Sequence, residues 1–285
     1  MKLKKIAITF LFFSLMLPAA IFGQNLNMDN CFAWCIVPFD NQNRIPEQRI
    51  EMLKRLGFQS YAYDWRAEHL PQMAKEIMLA RENGIEMNAV WMWLDARDAV
   101  GNLSENNRKV LQALKETGLK TQIWVSFPEN YFDDLTEPGR LEKAVEMVGY
   151  VSGLAGELGC RVGLYNHGGW FGRPENLVQI CEALPGNKVG IIFNFHHTHD
   201  MIDEFPELVK EMMPYLWAVN LNGMNRGGPK ILPVGSGEAE AGMLTALKTA
   251  GYAGPFGILG HVDDADVEVI LKANLEGLKI LKSKL

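Results

Sequence analysis

LYNHGGWFGRPENL, residues 164–177, reads as a strand that closes on Asn166 and His167, a turn over Gly168 and Gly169, and a helix that opens at Pro174. A strand that delivers polar side chains to its C-terminal end and then turns straight into a helix is one unit of a parallel α/β fold. Working outward, the same alternation of short apolar run and amphipathic stretch fills the chain from Asn30 to its end. Strands are predicted at 31–39 (CFAWCIVPF), 60–65 (SYAYDW), 86–94 (EMNAVWMWL), 120–127 (KTQIWVSF), 161–167 (RVGLYNH), 188–197 (KVGIIFNFHH), 216–223 (LWAVNLNG) and 254–261 (GPFGILGH). Each is followed by a helical pattern. In PEQRIEMLKRLG, Ile50, Leu53 and Leu56 recur at helical spacing and Gly57 ends the run as a left-handed cap. Eight strand–helix units predict a closed (βα)8 barrel in a single domain, residues 24–285, with no linker and no second domain.

The first 23 residues are read as a signal peptide. Lys2, Lys4 and Lys5 precede an apolar run from Ile6 to Leu17 that is too short to span a bilayer. Cleavage is expected before Gln24, with Ala20 marking a competing site, and no cysteine lies at the junction to carry a lipid. The leader therefore predicts a periplasmic or secreted protein with no membrane attachment after cleavage. Its removal leaves 25 basic residues against 34 acidic ones, a net charge of −9 where the whole chain carries −6. Nucleic acid is a poor partner for such a chain. Oligomeric state is not readable from these residues.

The four cysteines, Cys31, Cys35, Cys160 and Cys181, are too few for a disulfide scaffold and lack the paired spacing of a zinc site. Cys31 and Cys35 share one predicted strand, where a separation of roughly 13 Å forbids a mutual bridge. Buried free thiols are expected.

In a (βα)8 barrel the C-terminal strand ends converge on one cavity, so their side chains form the candidate site. They include Asp64, Trp93, Asp95, Trp124, Tyr165, Asn166, His167, Asn194, His196, His197, Asn220, Asn222 and His261. Of the six histidines, five fall at strand ends or in the loops just beyond. Imidazoles titrate near neutral pH, so this clustering points to hydrogen bonding or proton transfer. Trp93, Trp124 and Trp170 are candidates for stacking on sugar rings, with one of Trp91 and Trp93 expected to face inward and the other to pack in the core. In HHTHD, residues 196–200, His196 and His199 have the spacing to chelate a divalent metal. Strand alternation sends only one of His196 and His197 into the cavity unless the strand has already ended. The Gly-rich loop 227–244 offers Lys230 as a counter-charge for a substrate anion, without the Gly-Lys-Ser/Thr ending of a nucleotide loop.

From Cys160 onward the motifs LYNHGG, VGIIFNFHH, LWAVNLNG, LPVGSGE and GYAGPFGILGH resemble the sugar phosphate isomerase/epimerase superfamily, the xylose isomerase-like TIM barrels. The resemblance implies a barrel acting on carbohydrates, often through a divalent cation held by two glutamates, an aspartate and a histidine. Those four ligand positions fall here on Tyr165, Asn194, Asn220 and Gly260, so the resemblance implies a family pocket without its metal ligands. Asn166, His167 and His197 match residues that flank the ligands or touch substrate. The expectation is a carbohydrate isomerase, epimerase or lyase in which His167 with His197 or His261 moves the proton. Asn166, Asn194 and Asn220 would then orient hydroxyls, and Asp64, Trp93, Trp124, Trp170, His196, Asn222 and Lys230 would make the remaining substrate contacts. Two other expectations stand beside it: a non-catalytic carbohydrate-binding barrel, and a glycoside hydrolase using Asp64 and Asp95 as its carboxylate pair.

Overall fold

The computed structural model describes residues 26–186 and 189–285, so the leader read at residues 1–23 lies outside the described residues. Eight parallel strands close in sequence order: β1 (Cys31–Trp34), β2 (Ser60–Tyr63), β3 (Glu86–Trp93), β4 (Gln122–Ser126), β5 (Arg161–Tyr165), β6 (Val189–Asn194), β7 (Leu216–Leu221) and β8 (Phe256–Leu259). β8 returns to β1 through the pairs Cys31 with Phe256 and Trp34 with Leu259, which removes both sheet edges. Between and after them run α1 (Pro46–Leu56), α2 (Leu70–Glu82), α3 (Glu105–Thr117), α4 (Glu137–Glu157), α5 (Pro174–Ala183), α6 (Phe205–Met212), α7 (Glu240–Thr249) and α8 (Val267–Lys282). This is a single-domain (βα)8 TIM barrel. Among the described residues no helix is long and apolar enough to cross a membrane.

Helix ends follow the expected chemistry. α1 begins on Pro46, whose missing N–H costs nothing there, and the Gln48 side chain accepts the N–H of Ile45 at 3.1 Å. It ends at Gly57, whose φ of 82° lets its N–H reach back to the Leu53 and Lys54 carbonyls.

Two apolar clusters result. The larger joins the outward strand faces to the helices; the smaller fills the barrel with Phe32, Trp34, Ala62, Ala89, Trp124, Tyr165, Ile192, Ala218 and Leu259. Such a mix of small and large residues fills the interior only if some positions have no side chain. A Cβ on Gly163 would stand 2.7 Å from Ile192 and 2.9 Å from Trp124, and one on Gly190 would stand 2.1 Å from the Trp217 ring. Those glycines make room for the aromatic filling.

Most strands stop earlier than the apolar runs suggest. The run at 31–39 pairs only as far as Trp34, because Cys35 adopts a φ of 56° and turns the chain inward. The run at 188–197 pairs to Asn194 and then coils into a short 3-10 turn, Phe195–His197. All four cysteines are free and buried.

Candidate active site

A chamber enclosing about 100 Å³ opens at the C-terminal mouth of the barrel. Its floor is a bonded aromatic layer. Trp34 from β1 donates its indole N–H across the barrel to the Tyr165 hydroxyl at 3.2 Å, and the Asn194 amide donates to the same oxygen. Trp124 stacks below Tyr165 with ring centres 6.1 Å apart. Burial pushes the Tyr165 pKa well above its ordinary value, so the phenol keeps its proton; with two donors already on the oxygen, that proton is free to point elsewhere.

Four imidazoles form the wall. His196 and His197 lie 3.8 Å apart between ring centres, His167 and His197 4.7 Å, and His196 and His261 5.9 Å, while His261 lies 3.7 Å from the Phe39 ring. Because β6 has ended at Asn194, the 3-10 turn frees His196 and His197 from strand alternation and both line the chamber. Burial, then the Lys230 charge, pushes the His167 pKa down to about 4. His196 and His197 are driven well below the ordinary imidazole value, first by burial and then by the neighbouring rings; burial lowers His261 as well, with Asp263 opposing. All four rings are therefore neutral near pH 7, each with one nitrogen able to accept and one to donate.

Asp64, just past β2, is the carboxylate that lines the chamber. One oxygen accepts the backbone N–H groups of Ile36 and Val37, both at 3.2 Å, and the other has no partner within the protein. Burial pushes its pKa up to about 6, with the Val37 N–H and the Arg66 charge opposing. In an eight-strand barrel β2 and β6 face each other across the axis, so Asp64 stands opposite His196 and His197.

The other sequence-predicted residues divide. Lys230 lines the chamber. Trp93 borders an adjoining groove with its ring 4.9 Å from His167, and Trp91 lines both spaces. One of that pair was expected to turn away; residues two apart on a strand share a face, and both look inward. Trp124 is sealed in the floor, out of a ligand's reach. Trp170 swings outward to donate to Glu137 at 2.8 Å and pack on Phe132, so it makes no part of the chamber. Asn166 turns its amide to the backbone of Asn194, accepting at 2.6 Å and donating at 3.2 Å, which stitches β5 to β6; it is fully buried and makes no part of the chamber lining. Asn194 serves Tyr165 and the turn at His196, and Asn222 donates to the Gly223 and Lys230 carbonyls. Asn220 is fully buried beside Asn194 with both amide atoms unpartnered.

Asp64 is bonded to backbone rather than paired with Arg66, and Asp95 is engaged by Arg97 at 2.6 Å outside the chamber. The hydrolase expectation therefore loses its carboxylate pair. Tyr165, one of the expected strand-end residues, lines the chamber, and Trp34, Cys35, Phe39 and Arg66 join it from beyond the expected set. Arg66 carried a signal: it follows Asp64 by two residues at a strand end.

The residues do not fit a divalent cation. At the family's ligand positions stand a phenol already receiving two N–H groups, two amides, and Gly260, where even a Cβ would meet the Cys35 carbonyl oxygen at 2.9 Å. Neutral amides are poor ligands for a hard dication. His199 is no chelator either, since its two nitrogens sit 2.7 and 3.0 Å from the carbonyls of Asn225 and Lys230. Among the described residues no three His, Cys, Asp or Glu side chains are placed to hold a metal.

A family model described as xylose isomerase-like TIM barrel matches residues 50–281. No curated protein sequence matches the chain. Among solved structures, a 3-keto-D-glucoside 4-epimerase from E. coli superposes with a TM-score of 0.64 at 17% identity, over 89% of this chain and 99% of that one. A D-psicose 3-epimerase from Clostridium cellulolyticum H10, solved with D-tagatose, gives 0.61 at 19% identity over 90% and 95%. A D-tagatose 3-epimerase-like protein gives 0.64 at 18% identity over 90% and 99%.

Proposed function

The chain belongs to the xylose isomerase-like TIM barrel family, and on that premise we propose that it is a carbohydrate isomerase or epimerase whose proton transfer is carried by a carboxyl and imidazoles without a metal. The observation that carries this reading is the placement of Asp64 across the barrel from His197, with neutral imidazoles packed around the chamber they share. A proton on a carbon beside a carbonyl leaves to one of these groups, and the C–H electron pair becomes the C=C bond of an enol or enolate. Delivery of a proton from the opposite face inverts the centre; delivery to the former carbonyl carbon, with that carbon's oxygen protonated and the neighbouring hydroxyl losing its proton, moves the carbonyl. A base works best with a pKa near the working pH, and Asp64 at about 6 meets that condition better than His167 at about 4. We therefore assign Asp64 as first proton acceptor, His197 as the group facing it, and His167 and His261 as hydrogen-bonding partners of the substrate. The Tyr165 phenol supplies a proton donor to the developing oxyanion. The structural neighbours named as ketose and keto-glucoside epimerases support the carbohydrate class.

Deuterium uptake from D2O at the carbon beside the carbonyl, followed by NMR over a panel of ketoses, aldoses and oxidised sugars, tests the assignment. Uptake that vanishes in Asp64→Asn and in His197→Ala supports it. Uptake unchanged in both variants rejects these residues, and no uptake with any sugar favours the second reading, a carbohydrate-binding barrel. That second reading draws on the missing carboxylates at Tyr165, Asn194 and Gly260. One equivalent of Mn, Zn or Mg in elemental analysis of the purified protein would count against a metal-free route.

We also propose export, on the strength of the basic and apolar leader at residues 1–23. Mass spectrometry of protein from the native cell should find an N-terminus at Gln24, or at Ile21 for the competing site; a retained Met1 would reject it.

A further inference from the structure

Two cations, Arg66 and Lys230, line the chamber. Arg66 lies over the Phe39 and Trp91 rings at 5.4 and 5.8 Å, and its one hydrogen bond from the guanidinium goes to the Trp65 carbonyl at 3.0 Å. Lys230 is strapped by its backbone: its carbonyl accepts from the Asn222 amide at 3.4 Å and lies 3.0 Å from the His199 ring, while its side chain joins the chamber lining. Among the described residues neither cation enters an ion pair. The rim acids are otherwise placed, with Asp200 facing Arg173 at 3.9 Å, Asp263 facing His261 at 3.8 Å, and Glu129 lying against Gly168. The chamber's imidazoles are neutral, so the anions that face these cations are Asp64 in the chamber and Glu129 in the adjoining space that Lys230 and His167 also line, neither of them ion-paired with Arg66 or Lys230.

We propose that the substrate is a sugar acid, whose carboxylate is held between Arg66 and Lys230 while its carbon skeleton reaches Asp64 and His197. The proposal rests on the proton-transfer reading for the site's location and adds the substrate's charge. A planar carboxylate matches the guanidinium fork, and the ammonium serves as a point charge on the other side. Both cations are exposed to solvent and stand outside any ion pair among the described residues, so an incoming carboxylate reaches them without displacing a protein acid. Because the chamber encloses only about 100 Å³, the carboxylate must sit on the same short skeleton as the reacting carbon.

Titration calorimetry of the full-length protein with a hexuronate, the corresponding neutral hexose and the hexose 6-phosphate tests this without requiring turnover. The hexuronate should bind at least tenfold tighter than the hexose, and the preference should shrink with added salt. In the double variant Arg66→Gln with Lys230→Gln the ratio of hexuronate to hexose affinity should fall to about one while the melting temperature holds. Equal affinity for hexuronate and hexose, a preference for the phosphate ester, or a preference that survives the double variant overturns the proposal. Tight hexuronate binding without deuterium uptake would sink the proton-transfer reading and leave this one standing.

Discussion

Strand β2 separates two buried acids that live under opposite rules. On its outer face Tyr61 and Tyr63 look toward the helices, where Glu76 of α2 meets Arg49 of α1 at 2.5 Å and accepts from the Tyr61 hydroxyl at 3.2 Å. Arg49 also donates to the Arg44 carbonyl at 2.7 Å. On the inner side Asp64 keeps one oxygen on backbone N–H groups and leaves the other bare. Burial raises the pKa of both acids, but only Glu76 has a guanidinium in contact to oppose it. A buried acid with every oxygen answered holds elements together, whereas one with an oxygen left over waits for a ligand. The same contrast holds more widely: six of the twelve buried, unpartnered side-chain atoms among the described residues belong to Asp64, His167, His196, Asn220 and Asn222, all at the C-terminal ends of strands.

That contrast breaks most visibly in turnover. Asp64→Asn should cut the proton-transfer rate about 10²- to 10⁴-fold, while Glu76→Gln should leave the rate of the folded fraction within about threefold, as single-turnover kinetics would show. Stability should move the other way. Arg49→Met strands a buried carboxylate and is expected to cost about 3–5 kcal/mol in urea unfolding; a loss under about 1 kcal/mol would mean the pair is not a fastening at all.

Asp64 titrates at about 6 in the folded chain against ~3.9 in an unfolded one. The folded state thus holds the extra proton between those values, and this group's contribution to stability falls as pH rises through that window. Asp64→Asn should therefore gain up to about 3 kcal/mol at pH 8 and nothing at pH 4. The imidazoles act with opposite sign. His167 titrates at about 4 folded against ~6.5 unfolded, so stability falls as pH drops through that interval, and His196, His197 and His261 shift in the same direction. Four rings outweigh one carboxyl. The urea midpoint of the parent chain should decline from pH 7 to pH 4.5, and a flat profile would contradict the buried neutral cluster. The smallest effect is Tyr61→Phe, which removes one hydrogen bond from Glu76 and should cost about 1 kcal/mol.

Architecture was legible because the apolar runs are short and alternate with amphipathic stretches, several of which end in glycine just before the next strand, so strand and helix alternate eight times. Strand ends were less so. Nothing in CFAWCIVPF announces that Cys35 takes a positive φ, yet that turn shapes one side of the chamber. The cluster of His167, His196, His197 and His261 was readable from strand-end position alone. The asparagines misled, because an amide at a strand end can as easily cap its neighbour's backbone as greet a hydroxyl, and Asn166 does the former. Trp170 misled for a related reason: its loop lies at the mouth, but Glu137 draws the indole away. Tyr165 was noticed for the glutamate it lacks rather than for the hydrogen it can give. That role emerges only when Trp34 and Asn194, distant in sequence, both point at its oxygen.

The indole-to-phenol bond between Trp34 and Tyr165 spans the barrel from wall to opposite wall, with Trp124 beneath it. Among the described residues it closes the barrel beneath the chamber, which leaves the C-terminal mouth as the doorway. Whatever enters must depart by the same route before a successor arrives, so a product of nearly the same size as its precursor will compete for that doorway and slow its own formation.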